Sequence, residues 1–191
     1  MTAAVLDDKS VELLEYRHLI QRPKNRKDWG YSFGDDIGRL AQGMLGRNTG
    51  TNTTYFIHKH EIPADRWKDV TSGRIVCNAT PQKEEVFCTR LTVDGSRINI
   101  GMDCGAPTAS LLTVKLLLSS FISTENVRFI SIDIKDFYLN TPMKRPEFLR
   151  LKIKNFPKDV TQNYNLFDKV DAKGNLYINV SKECVACLMQ A

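Results

Sequence analysis

The stretch SIDIKDFYLN, Ser131 to Asn140, sets an acid, Asp133, between Ile132 and Ile134 and then presents the aromatic pair Phe137 and Tyr138. Around its start, VRFISIDI (127–134) is apolar and β-branched almost throughout, the pattern of a buried strand. A lone carboxylate on such a strand is costly unless it is paired or bound to a metal. Two endings compete. In one, Asp133 opens a surface turn. In the other it holds a divalent cation, because two-metal phosphoryl-transfer sites need a carboxylate fixed on a strand end, with the ions about 4 Å apart. Magnesium takes hard oxygen ligands: carboxylates, a backbone carbonyl and substrate phosphates. Tyr138, five positions beyond the acid, suits the wall against an incoming sugar.

Neighbouring segments supply a frame for that strand. A helix is predicted from about Pro107 to Ile122, since proline suits a first turn and Leu111, Val114, Leu118, Phe121 and Ile122 form one stripe. Beyond the acid, EFLRLKIK (147–154) and NLYINVS (175–181) alternate with period two. In the first, Leu149, Leu151 and Ile153 face one way, and Arg150, Lys152 and Lys154 the other. That basic face suits a solvated strand edge and a nucleic-acid track equally well.

Toward the N-terminus, SVELLEYRHLI (10–20) has helical spacing with Ser10 as its cap. QRPKNRKDWG gathers Arg22, Lys24, Arg26 and Lys27 around a proline, either a solvated linker or a phosphate-contacting arm. A helix broken by Gly43 is expected over 36–45, and GRNTGTN (46–52) is rich in turn residues. TTYFIHK (53–59) and GRIVCNA (73–79) read as the strands of a hairpin whose tip carries His58, Lys59, His60, Arg66 and Lys68. Residues 94–107 read as irregular. The order, helices and a hairpin first and then a helix on a small sheet, predicts an α+β fold with two subdomains.

At 191 residues the chain buries a real core as one domain or two small ones. Its 42% apolar and 26% charged residues are ordinary for a globular protein. A net charge of +5 and a pI near 8.9 fit a nucleic-acid partner without requiring one. Five cysteines, an odd count behind an N-terminus without a secretory pattern, argue against a disulfide framework. Cys184-x-x-Cys187 lacks the second tight pair that a zinc site needs. The longest apolar run, ASLLTVKLLLSSFI, contains Lys115 and is too short to span a bilayer, so no membrane partner and a cytoplasmic or nuclear location are expected.

IDIKDFYLNTPMKRPEFLRLK resembles the first palm motif of reverse transcriptases from LTR retrotransposons, most of all the copia type. EYRHLI, IGRLAQG, IPADRWKDVTSGRIVC, RLTVDGSRIN and APTASLLTVKLLL resemble the preceding blocks of that family, in its order. The resemblance implies an RNA-directed DNA polymerase with two Mg2+ ions and a right-hand fold. The N-terminal helix and basic linker would occupy 1–28, fingers 29–106, and an incomplete palm sheet 107–191. By position Asp133 is the catalytic metal ligand, joined by the carbonyl of Ile134. Tyr138 is the gate against a ribose 2′-hydroxyl. The backbone at Asp136 and Phe137 lies under the triphosphate, and Lys68 and Arg74 neutralise its oxygens, where the plainer reading is an exposed hairpin. Gln190 touches template and nucleotide, and Arg150, Lys152 and Lys154 form the template track. The implied partners are dNTPs, an RNA or DNA template-primer, and the rest of the polymerase: palm, thumb and RNase H.

The chain also departs from that family. After GRIVC, Asn78, Ala79 and Thr80 stand where an acid or polar residue, a tyrosine and an arginine belong, which predicts looser fingers. ECVACLMQA replaces a glycine-leucine-proline-glutamine turn, with Cys184 and Cys187 at glycine positions and Met189 for the proline. The family's aromatic-x-Asp-Asp motif belongs beyond residue 191, so the two-ion site is expected to be incomplete and the isolated chain inactive. FGDD (Phe33–Asp36) matches that motif by letter, but Asp35 or Asp36 is expected instead as a helix N-cap. A non-catalytic nucleic-acid-binding remnant and a relic without a role are the alternatives.

Overall fold

The structure, a computed structural model, describes residues 4–6, 13–93, 109–130, 132, 134 and 138–182. By its contacts the chain divides into two compact units: Met1–Asn99 with Tyr138–Ala191, and Ile100–Phe137.

The larger unit contains β1 (Ala4–Leu6), β2 (Leu13–Glu15), α1 (Tyr16–Leu19), α2 (Pro23–Leu40), β3 (Gly43–Met44), β4 (Asn48–Thr49), β5 (Thr54–Ile57), β6 (Thr71–Ala79) and β7 (Phe87–Val93). The smaller contains α3 (Leu111–Ser123). The larger resumes with β8 (Pro142–Lys152), α4 (Lys158–Asn163) and β9 (Asn175–Lys182). The class is α+β, as the sequence pattern predicts.

A five-stranded mixed sheet runs in the order β5-β9-β8-β6-β7. All its pairings are antiparallel except β6 with β8, where Thr71 stands beside Leu149 and Ser72 beside Arg150. Period-two alternation sends Phe56, Ile75, Leu91, Val93, Leu149, Leu151, Leu176, Ile178 and Val180 into one core. Helix α2 contributes Trp29, Phe33, Ile37 and Leu40, spaced for a single stripe. Tyr16, Phe33, Phe156, Phe56 and Tyr164 join as a chain of tilted and edge-on rings with centroids 5.0–5.8 Å apart.

Both edges of the sheet are closed by side chains. On β7, Ser32 Oγ accepts the Thr89 N–H at 2.9 Å and Asp36 Oδ2 accepts the Leu91 N–H at 2.7 Å. On β5, the carbonyls of Thr54 and Phe56 accept from Gln42 Nε2 and Lys169 Nζ at 2.8 and 2.6 Å. An edge so occupied offers no free ladder to another strand.

Several expectations are corrected. The basic segment 22–28 is no linker: Pro23 opens α2 at its first position, and Lys24, Arg26 and Lys27 are solvated on its outer side. Asp35 and Asp36 therefore lie well inside a helix rather than at its cap. Residues 13–19 form a short strand and one helical turn, not a continuous helix. Strands β5 and β6 do not form a hairpin; β5 pairs with β9, and β6 with β7 and β8. The segment between them is two 3-10 turns, Lys59–Glu61 and Ala64–Asp69, that lie on the sheet's other face through Ile62, Phe148 and Tyr177. Strands β8 and β9 stand as expected, but they share a sheet with β5 and β6 across the expected boundary at residue 107.

In the smaller unit α3 forms where its stripe predicts, capped by Ser110, whose Oγ accepts the Thr113 N–H at 3.1 Å. Residues 127–130 form no strand, and Ile132 and Ile134 are 78% and 60% exposed, so the expected buried strand is not found there. No helix among the described residues is long and apolar enough to cross a membrane.

Candidate nucleic-acid interface

Because Leu149 and Leu151 turn into the core at 1% and 3% exposure, Arg150 and Lys152 must face outward from β8. Arg150 stands opposite Tyr177 on β9 and donates through Nη2 to Ser72 Oγ on β6 at 3.2 Å. Lys152 Nζ donates to the carbonyl of Lys173 at 3.1 Å. Arg74, two residues beyond Ser72, shares this face, and so does Arg90, whose partner across the β6–β7 ladder is Val76. Three strands thus bring four cations to one side of the sheet. Arg74 Nη2 lies 3.8 Å from a Glu15 carboxylate oxygen, an exposed pair of little energy that a phosphate can displace.

The rest of this face carries aromatic groups under the 58–70 segment. Trp67 meets Tyr177 edge-on at 5.6 Å, and Lys59 Nζ lies 5.4 Å from the centre of the Trp67 ring. Arg66 is occupied by structure, donating to Asp69 at 2.6 Å, to the Pro146 carbonyl at 3.0 Å and to Glu147 at 3.3 Å. Arg145 reaches the same Asp69 oxygen at 2.7 Å. The hydrogen bond from Arg66 is the chief reason the Asp69 carboxyl sits below its ordinary range. Burial pushes the neighbouring Glu147 carboxyl up, against the pull of Arg66 and Arg145. Lys68 projects to solvent from this turn.

Tyr177 also donates to Asp171 Oδ2 at 2.9 Å. Asp171 accepts in addition from the Lys173 N–H, the Asn175 N–H and Asn175 Nδ2, each at 2.8 Å, and so fixes the turn entering β9. Burial alone would raise its carboxyl; these hydrogen bonds, Asn175 foremost, outweigh that and hold it well below the usual carboxylate range.

Arg74, Arg150 and Lys152 are therefore brought together, while Lys154 leaves the strand in the 3-10 turn Ile153–Asn155. Asp133, Asp136, Phe137 and Gln190 lie outside the described residues. Tyr138 opens the 3-10 turn Tyr138–Asn140, with its side chain outside them. Among the described residues no group of three or more His, Cys, Asp or Glu side chains converges as a cation cage, so the Mg2+ expectation gains no ligand set there. Sequence reading missed Arg90, although FCTRLTV alternates as clearly as the strands it found.

No protein-family model, curated protein or solved structure matches the chain.

Proposed function

We propose that this chain is a fragment of a copia-type LTR-retrotransposon reverse transcriptase, comprising fingers and the opening of the palm in a right-hand polymerase fold, and that it binds template-primer on the outer face of its sheet. Support comes first from the ordered blocks between EYRHLI and IDIKDFYLN. The observation that carries nucleic-acid binding is the common solvent face of Arg74, Arg150 and Lys152. Phosphate contacts from such a face position a strand without reading its bases. The family's reaction is template-directed extension of a primer 3′-hydroxyl by dNTPs, for which two Mg2+ ions supply charge stabilisation of the transferring phosphoryl group. Asp133 is the ligand this chain would contribute, with Tyr138 as the sugar gate and Lys68 and Arg74 toward the triphosphate.

The test is a titration of the full chain with a labelled RNA–DNA template-primer at several salt concentrations. Affinity should fall with salt, and R150E/K152E should weaken it and flatten the salt slope. Salt-independent binding, or binding untouched by R150E/K152E, sinks the proposal. Mg2+-dependent primer extension abolished by D133A would establish catalysis.

A second reading, a nucleic-acid-binding module without polymerase activity, is favoured by the sheet face of Arg74, Arg150 and Lys152, which needs no metal ligand. Strand binding without extension selects this reading.

A further inference from the structure

A second basic surface lies on the helical side of the sheet. The start of α2, the end of α1 and the 154–159 segment enclose a groove of about 840 Å3, within the usual range for ligand sites of roughly 300–1,000 Å3. Its floor is apolar and aromatic, formed by Tyr16, Ile20, Phe156 and Pro157, with Tyr31 at the side. Its rim carries Arg26 and Lys27 from α2, and Lys154 and Lys158 from the segment after β8. All four are exposed, and none makes an ion pair among the described residues. The single acid in the lining, Asp159, is already bound by Arg47 Nη1 at 2.6 Å. Four unpaired cations around one neutralised acid make a concave positive field, which attracts and focuses an anion.

We infer that this groove binds the phosphodiester backbone of a single nucleic-acid strand. Phosphates sit between Arg26 and Lys27 on one rim and Lys154 and Lys158 on the other. The sugar or base side rests on the apolar floor. An acidic peptide would satisfy the cations but leave the aromatic floor without a planar group to stack on it. The assignment stands apart from the polymerase proposal, since none of its residues belongs to the sheet face of Arg74, Arg150 and Lys152.

The test uses the full chain and a fluorescent 12-nucleotide single strand, read by anisotropy across 50–200 mM salt. R26A/K27A and, separately, K154A/K158A should each weaken binding on the order of tenfold at 0.1 M salt. Each should also reduce the log–log salt slope by about 1.4, twice the ~0.7 per phosphate of a single strand. R150E/K152E serves as the sheet-face arm: loss of binding there with intact groove variants overturns the groove alone. Unchanged affinity and slope in both groove double variants, or competition by free dNTP as effective as that of unlabelled strand, also overturns it.

Discussion

Asp36 sits inside α2 and accepts the backbone N–H of Leu91, on the outer edge of β7, at 2.7 Å. Its other oxygen receives Arg39 Nη2 at 2.9 Å. With Ser32, one turn earlier, it makes the helix a cover for the sheet edge rather than a neighbour of it. FGDD thus serves the fold through Asp36: the acid occupies an edge where another chain would otherwise add a strand.

Replacing Asp36 separates charge from hydrogen bond. Burial is the first cause of its raised carboxyl, with the Arg39 and Leu91 hydrogen bonds pulling the other way. Asp36→Asn keeps an acceptor for Leu91 and removes the buried charge, so its urea midpoint at pH 7 should equal or exceed wild type. Asp36→Ala leaves the Leu91 N–H unpaired and should cost about 1–3 kcal/mol. A raised folded-state value means the folded protein holds the proton more tightly. Wild type should therefore gain on Asp36→Asn as the pH falls from above that value toward the unfolded one, about 3.9. A gap that widens on acidification would refute the assignment.

What the sequence shows plainly is what depends on local period. Strands β8 and β9 and helix α3 follow their own alternation or stripe, and Arg150 and Lys152 face outward for the same reason. The hairpin of 53–59 with 73–79 fails because β5 takes its partner from β9, more than a hundred residues away, and nothing local encodes that choice. The start of α2 is hidden because Lys24, Arg26 and Lys27 look like a linker until Trp29 and Phe33 are seen to share their helix. The sheet face is legible strand by strand, but not as a site. Arg74 and Arg150 meet only through the two-residue parallel contact of β6 with β8.

Gly30, Gly34 and Gly38 recur every fourth residue along α2, and each faces a different neighbour. A Cβ on Gly38 would lie 2.5 Å from Asn48 Oδ1 and 2.7 Å from Met44 Cγ, so the β3–β4 turn can approach only a bare backbone. Gly38→Ala should destabilise by about 1–3 kcal/mol despite its better helix propensity. A Cβ on Gly30 meets only Pro157, at an ordinary 3.6 Å. Gly30→Ala should stabilise by roughly 0.5–1 kcal/mol. Denaturant midpoints in the same order for both variants would contradict this picture.

Gly34 leaves room for Arg47, whose Nη1 would lie 2.9 Å from an added Cβ. That guanidinium donates to Asp35 at 2.9 Å, Asp159 at 2.6 Å and the Tyr31 carbonyl at 2.6 Å, and stacks 3.9 Å from the Tyr31 ring centre. It ties α2 to α4. A lysine cannot reproduce the planar fork, so Arg47→Lys should lose about 1–3 kcal/mol. Gly34→Ala should cost less in an Arg47→Ala background than alone, and a double-mutant cycle measures that coupling. Additive losses would separate the two residues.

Asp171 carries the opposite pH signature to Asp36. Its folded-state value is depressed, so the stability it contributes is complete above the unfolded value of about 3.9 and is lost as the pH falls through the depressed one. Protonation there removes charge-assisted acceptance from the Lys173 and Asn175 N–H groups, the Asn175 amide and the Tyr177 hydroxyl together, which loosens the entry to β9. Asp171→Asn should be less stable than wild type at pH 7, and the two curves should converge below about pH 4. The same contact makes Tyr177 harder to ionise, with burial the larger cause and Asp171 adding to it. Asp171→Asn should therefore lower the Tyr177 titration seen by ultraviolet difference absorbance. Parallel acid-melting curves for the two proteins would show that Asp171 is not ionised against these donors, and the turn before β9 would need another anchor.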